Sequence, residues 1–337
     1  MPKRVEAMRA WLRQVLASTH FVLEPASDDA SFRRYFRVHV GQKTYVVMDA
    51  PPDKENCETF VYVAALLMRA GVNVPDVLCT NFQHGFVLLT DLGSWHYLDV
   101  LHEGNVGELY ADAFHTLLQM QGGIPAPSVP SYSETLLHAE MQLFIDWFLE
   151  RHLQLTLTSG ERTHLLHSFD FLCRSALEQP RVFVHRDYHS RNLMVQSRNN
   201  PGVLDFQDAV AGPITYDLVS LLRDVYICWP TQHVHTWVLH YHQLAVECGI
   251  LKPGDPQMFA REFDFMGVQR HLKVAGIFAR LYYRDGKSRY LKDIPQALRY
   301  LFEVCARYPE LMPLHELFHR WNLWHRCATH GRPSNQA

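Results

Sequence analysis

No Gly-x-Gly-x-x-Gly occurs among the 17 glycines of this chain, so the usual glycine-rich phosphate cradle is missing. The seven cysteines (57, 79, 173, 228, 248, 305, 327) lie far apart, and none forms a Cys-x-x-Cys pair. An odd, scattered set argues against a disulfide framework and suits reduced thiols in a cytoplasm. No apolar run approaches the ~18 residues of a membrane span. The start, Met1-Pro-Lys-Arg-Val-Glu6, leads into an amphipathic stretch rather than an apolar signal core. A cytoplasmic location without membrane attachment is therefore expected. An excess of one charge is also lacking: 32 basic residues face 35 acidic ones, for a net charge of −3. A general nucleic-acid binder would carry a basic surplus. No internal repeat or low-complexity segment is visible, and only the tail from residue 329 is expected to be disordered.

What is present is a globular composition, 47% hydrophobic over 337 residues, enough for two lobes with a sizeable core. Val5, Met8, Trp11, Leu12 and Val15 form one stripe and predict a helix over 4–17. Short β-rich runs follow at 21–23, 32–40 and 44–48, with a hairpin turn at Gly41-Gln42. A helix is expected over 55–70, stopped by Gly71. Runs 77–82 and 86–90 predict a hairpin turning at His84-Gly85. Beyond Asp91 the pattern turns helical, over 106–121, 133–153, 160–178, 214–227, 231–248, 257–280, 293–307 and 310–326. The expected class is α+β, with a β-rich N-terminal lobe (1–91) and a mostly helical C-terminal lobe (92–328). A nucleotide would lie between the lobes.

One interruption of the helical pattern carries chemistry. In Val184-His-Arg-Asp-Tyr-His-Ser-Arg-Asn-Leu-Met-Val195, Asp187 precedes Asn192 by five residues. Asp205 follows thirteen residues later, at the end of the apolar run Gly202-Val-Leu-Asp-Phe206. Phosphoryl transfer needs such groups: one carboxylate to orient an acceptor hydroxyl, and an amide and a second carboxylate to hold a hard cation. His-x-Asp-x4-Asn followed by an apolar strand and Asp-Phe resembles the catalytic and metal loops of the kinase superfamily, and implies a bilobal protein-kinase-like fold.

His189 two residues after Asp187, the spacing from Asp205 to Gly212-Pro213, and Tyr216-Asp217-Leu218 are more similar to the aminoglycoside phosphotransferase and choline kinase group. No Ala-Pro-Glu segment is present, and the short stretch after Asp205 leaves no room for a peptide-binding activation loop, so a small-molecule acceptor is expected. Four further stretches resemble one subgroup, the bacterial kinases that phosphorylate N-acetylmuramate and N-acetylglucosamine at the anomeric hydroxyl in cell-wall recycling. They are Ser27–Arg37, Val47–Pro52, Leu89–Gly93 with Tyr97-Leu-Asp99, and Gln269–Gly286. The resemblance spans roughly residues 20–305. It implies catalysis by Asp187, Mg2+ held by Asn192 and Asp205, ATP as co-substrate, and an amino sugar as acceptor. His185 is expected to brace the loop.

Two departures matter. The turn Ser27-Asp-Asp-Ala-Ser31 stands where glycines would, and Met48 stands where the third strand would carry lysine. Nucleotide contacts are therefore expected from Ser31, Phe32, Arg33, Arg34 and Met48, with Leu89, Thr90, Asp91 and Leu92 as a hinge. Phe32, Arg34, Phe36 and Val38 share one strand face by period two, so Arg34 is a candidate phosphate ligand, or both arginines simply pair with acidic neighbours. For the acceptor, Glu140, Phe144 and Trp147 at i, i+4, i+7 suit a sugar hydroxyl and face, although such a stripe also describes a core. Arg191, Asp208 and Arg280 are further acceptor candidates. A monomer is expected. Two alternatives stay open: an aminoglycoside or other small-alcohol kinase, and a non-catalytic nucleotide- or sugar-binding pseudokinase, which the missing lysine and glycines would favour.

Overall fold

The computed structural model describes residues 2–27 and 32–330. In chain order the elements are α1 (Pro2–Val15), β1 (Val22–Ser27), β2 (Arg34–Val40), β3 (Lys43–Asp49), α2 (Cys57–Arg69), β4 (Val77–Asn81), β5 (Phe86–Thr90), α3 (Tyr97–Val100) and α4 (Val106–Gly123). Then come α5 (Glu134–Leu143), a π-helical segment (Phe144–His152), α6 (Ser159–Glu178), β6 (Arg181–Val184), β7 (Leu193–Met194), β8 (Gly202–Val203) and β9 (Val210–Pro213). Last are α7 (Thr215–Leu222), α8 (Thr231–Glu247), α9 (Pro256–Asp285), α10 (Ile294–Cys305), α11 (Met312–Arg320) and α12 (Leu323–His330). No helix among the described residues is long and apolar enough to cross a membrane.

The chain forms two compact units, Met1–Gln119 with Arg191–Asp208, and Met120–Ser190 with Ala209–Ala337. This differs from the expected division at residue 91. The hairpin of β7 and β8 belongs with the first unit because its backbone is held there: Val195 N donates to Trp95 O at 2.8 Å and Val203 N to Asn73 O at 2.7 Å. The tail expected to be disordered from residue 329 begins inside α12, which runs to His330; residues 331–337 lie outside the described residues.

In the first unit five antiparallel strands are ordered β1-β2-β3-β5-β4. Strand residues alternate between faces. Val38, Val47, Phe86 and Leu88 meet Met8, Trp11 and Leu12 of α1, which makes that face a core. Gly85 permits the β4–β5 turn: its φ is +71°, and a Cβ there would collide with Ala50 O. Asn56 caps α2, accepting from Glu58 N at 2.8 Å and Thr59 N at 3.2 Å.

In the second unit α9 is the axis. Nineteen of its thirty residues are buried, and it packs against α5, α6, α7, α8 and α10. Gly276 lets it meet the start of the π-helical segment, because a Cβ there would overlap the Leu143 carbonyl carbon and lie 2.5 Å from Phe144 N. The helix expected over 214–227 ends at Leu222, and the expected 310–326 helix is two, α11 and α12.

Candidate active site

The catalytic segment leaves β6 at His185, after pairing with β9. Buried Asp217, in the first turn of α7, anchors it: its carboxylate accepts from His185 N at 2.6 Å and Arg186 N at 2.9 Å. His185 is fully buried, and its Nδ1 accepts from Asp187 N at 3.2 Å. Asp224, buried just after α7, accepts from Ser190 N at 3.0 Å and Ser190 Oγ at 2.5 Å. Arg186 has φ +78°, an uncommon conformation outside glycine that the surrounding hydrogen bonds hold in place.

Asp187 is surrounded by cations. Burial alone would raise its pKa, but Lys273, His189, Arg270 and Arg186 outweigh burial and lower it to about 2. It is a carboxylate at neutral pH, able to accept a hydrogen bond but not to donate one. Burial pushes the Asp217 carboxyl in the same direction and prevails. There it overrides the two N–H donors, and repulsion from Asp187 adds to it, so that the pKa rises to about 7.

Glu140 lies beside this loop, 5% exposed. It pairs with Arg186, with Lys273 Nζ at 3.1 Å, and with the Tyr132 hydroxyl; Lys273 also donates to Tyr216 OH at 2.8 Å. Burial opposes its ionisation, but Lys273 and Arg186 hold its pKa below the ordinary value. The stripe expected to continue through Phe144 and Trp147 does not form. From Phe144 the helix widens to i→i+5 bonding, which rotates Trp147 off the line. Phe144 is core, packed on Phe148 and Phe318. Trp147 instead lies under Arg151, 5.8 Å from its ring. Arg280 is not brought to Asp187 either: it is ten residues, about 15 Å, beyond Arg270 along α9, and its charge neighbours are Arg284 and Asp285.

In the first unit the β7–β8 hairpin joins the two expected cation ligands, with Leu204 N donating to Asn192 O at 2.9 Å. Asp205 has φ +61°, and its Oδ1 accepts from Gln207 Nε2 at 2.9 Å. Gln207 also donates to Asp208 at 3.1 Å. Phe206 is buried against Phe60 of α2. Asn192 and Asp205 offer an amide and a carboxylate oxygen on adjacent strand ends, a donor set suited to a hard divalent cation completed by phosphate and water oxygens.

Of the two arginines, the buried one is Arg33, and Arg34, the candidate phosphate ligand, is not. Arg34 and Arg4 both pair with Asp49 on the α1 face of the sheet. Arg33, on the opposite parity, is 8% exposed, 3.7 Å from Glu55 and 3.6 Å from Asp208. Burial works against its charge, but Tyr35, Asp205, Glu55 and Asp208 outweigh that and hold its pKa above the ordinary value. Met48 is fully buried opposite Tyr35. Phe32 is 62% exposed, its N–H directed to Glu55 at 3.2 Å. Ser31 lies outside the described residues. In the hinge, Leu89 is paired within the sheet, Thr90 N donates to Asp76 O at 3.0 Å, and Leu92 O accepts from Gln196 at 2.5 Å. The Asp91 carboxylate is held by Arg37 at 2.7 Å. Arg191 is half-buried in this unit.

Sequence reasoning passed over Asp224, Arg270 and Lys273. The last two lie in the Gln269–Gly286 stretch, where helical periodicity could not separate buried cations from a core stripe. The sequence also carries one zinc-type spacing, His315-Glu-Leu-Phe-His319, on α11. Its two Nε2 atoms are 3.2 Å apart, but no group of three metal-ligating side chains exists among the described residues.

Residues 22–246 match APH, the phosphotransferase enzyme family. The chain belongs to this family. An N-acetylmuramate/N-acetylglucosamine kinase of Pseudomonas aeruginosa is 50% identical over 325 residues, 93% of this chain and 96% of its own. A kinase of the same name from Neisseria meningitidis is 44% identical over 315 residues, covering 92% and 93%. Among solved structures, ADP-bound aminoglycoside phosphotransferase APH(2'')-Ib superposes with a TM-score of 0.58 at 16% identity, covering 88% of this phosphotransferase and 97% of that chain. The choline kinase LicA of Streptococcus pneumoniae gives 0.59 at 11%, covering 88% and 98%. These likenesses establish the protein-kinase-like fold.

Proposed function

We propose that this phosphotransferase moves the γ-phosphoryl group of ATP to the anomeric hydroxyl of N-acetylmuramate and N-acetylglucosamine, in the recycling of cell-wall sugars. The names and coverage of its relatives support the acceptor class. The observation that carries the reading on the acceptor side is the charge around Asp187. Arg186 and Lys273 are paired with Glu140, and Arg270 adds a further buried cation beside Asp187, so the site offers no acidic excess to a polycationic aminoglycoside. A neutral or anionic sugar needs none.

Asp187, ionised, accepts the hydrogen bond of the anomeric hydroxyl and turns its lone pair toward the phosphorus. The Asp217 and Asp224 anchors fix the loop on which it stands. Asn192 and Asp205 hold Mg2+, which when bound offsets charge on the phosphates. Arg33 supplies the cation that β3 lacks, held in place by Glu55 and Asp208. That removes the main ground for a non-catalytic reading.

The test is phosphate transfer from ATP and Mg2+ to both sugars, beside a panel of aminoglycosides, with product position read by phosphorus NMR. Sugar 1-phosphates and inert aminoglycosides are expected. Turnover of aminoglycosides with inert sugars would overturn the proposal, as would nucleotide binding without transfer to any acceptor.

A further inference from the structure

Arg186, Arg270 and Lys273 surround Asp187, and two of these cations are already engaged. Arg186 and Lys273 share Glu140. The next buried arginine in sequence before α9, Arg223, has Asp264. Arg270 is different. It is 4% exposed, yet its Nε and Nη1 find no hydrogen-bond acceptor among the described residues. Its charge is felt by Asp187 and Asp217, but neither carboxylate forms an ion pair with it. The residue before it, Gln269, is fully buried with Oε1 unpartnered, while its Nε2 reaches Glu140 only at 3.4 Å. A buried guanidinium costs more than it returns unless an anion completes its fork. That fork is planar and matches a carboxylate with two parallel N–H···O bonds.

We propose that Arg270 binds the carboxylate of the acceptor's lactyl ether and so favours N-acetylmuramate over N-acetylglucosamine. The inference rests on the function proposed above and names the residue that reads the one anionic group separating the two sugars. N-acetylglucosamine lacks that group and binds through its ring and acetamido substituents alone. The geometry of α9 suits the assignment. Arg270 and Lys273 are one turn apart on the same face, so Lys273 fixes Glu140 while Arg270 keeps its donors for a ligand.

The experiment compares three acceptors on the intact protein: N-acetylmuramate, the same sugar with its lactyl carboxylate converted to a carboxamide, and N-acetylglucosamine. The readout is the ratio of kcat/KM values, because Arg270 also acts on Asp187 and its loss lowers all three rates together. In the unsubstituted enzyme the carboxylate should be preferred to the carboxamide by at least about tenfold. Arg270→Met should bring that ratio close to one, and Arg270→Lys should keep part of it. A ratio near one in the unsubstituted enzyme overturns the proposal without any variant. A ratio that survives in Arg270→Met overturns it too. If Arg270→Met does not fold, Arg270→Lys decides: a ratio equal to that of the unsubstituted enzyme counts against a bidentate fork, and a reduced one supports it. Absence of turnover on all three acceptors would instead sink the functional reading. Turnover of both natural sugars with no carboxylate dependence would sink only the role of Arg270.

Discussion

At the scale of single residues, two charges must stay charged in places that disfavour it. Burial raises the pKa of Asp187; Lys273, His189, Arg270 and Arg186 reverse this and bring it to about 2. Asp187→Asn keeps the shape and removes the acceptor charge. It should lower kcat by about 10²- to 10⁴-fold while nucleotide affinity, read by calorimetry, stays close to that of the unsubstituted protein. Full turnover in the variant would remove Asp187 from the mechanism. Arg33 is the second case, 8% exposed between Glu55 and Asp208. Arg33→Met should lower kcat by about 10²-fold or more and raise the KM for ATP. Arg33→Lys should recover part of the loss, since it returns a point charge without the fork. Equal defects in the two variants would point to lost packing rather than lost charge. The identity of this cation was only half legible. Period two separates Arg33 from Arg34 onto opposite faces, but nothing local says which face α1 covers, and α1 lies far away in sequence.

At the scale of elements, periodicity reads well wherever a helix has one apolar stripe, and the helices over 106–123, 159–178 and 231–247 fall close to expectation. The Gly41 and Gly85 turns and the Gly71 stop are likewise local features, written in the residue that adopts positive φ without a Cβ penalty. The π-helical widening is not local. Its sequence, Phe144 to His152, is an ordinary amphipathic stretch, and the backbone of α9 comes close to its start at Gly276. The widening takes Trp147 off the expected line from Glu140, and Glu140 alone of the three lies at the loop. Gly276→Ala should therefore act on two elements at once. The added methyl must push α9 away from the Leu143 carbonyl, at a cost of about 1–3 kcal/mol, visible as a lower urea midpoint with little change in slope. An unaltered midpoint would mean that the two backbones are less closely apposed than described.

At the scale of the whole molecule, the class was legible because the motif ties one carboxylate, an amide and a second carboxylate to fixed spacings, which is what the proposed phosphoryl transfer asks for. The assignment of 92–119 and 191–208 to the first unit was not, because it depends on hairpin hydrogen bonds between residues about a hundred positions apart. The same long-range anchoring ties global stability to pH through Asp217. Its carboxyl has an ordinary value of 3.8 and is raised to about 7 in the fold, chiefly by burial, with Asp187 adding to the rise. The folded state thus holds its proton more tightly than the unfolded state does. The resulting stabilisation is complete below the ordinary value and is lost as pH climbs toward about 7, with a slope of up to roughly 1.4 kcal/mol per pH unit in that window. Glu140 contributes with the opposite sign, since its folded value is depressed: its stabilisation is present above the ordinary carboxyl range and is lost on acidification. Asp217→Asn removes the first term and leaves the second. Urea unfolding of both proteins at pH 5, 6, 7 and 8 should show the unsubstituted enzyme losing stability relative to the variant between pH 5 and 7, then running parallel to it. Parallel curves over the whole range would mean that Asp217 is ionised throughout and that its two backbone N–H donors, not burial, set its charge.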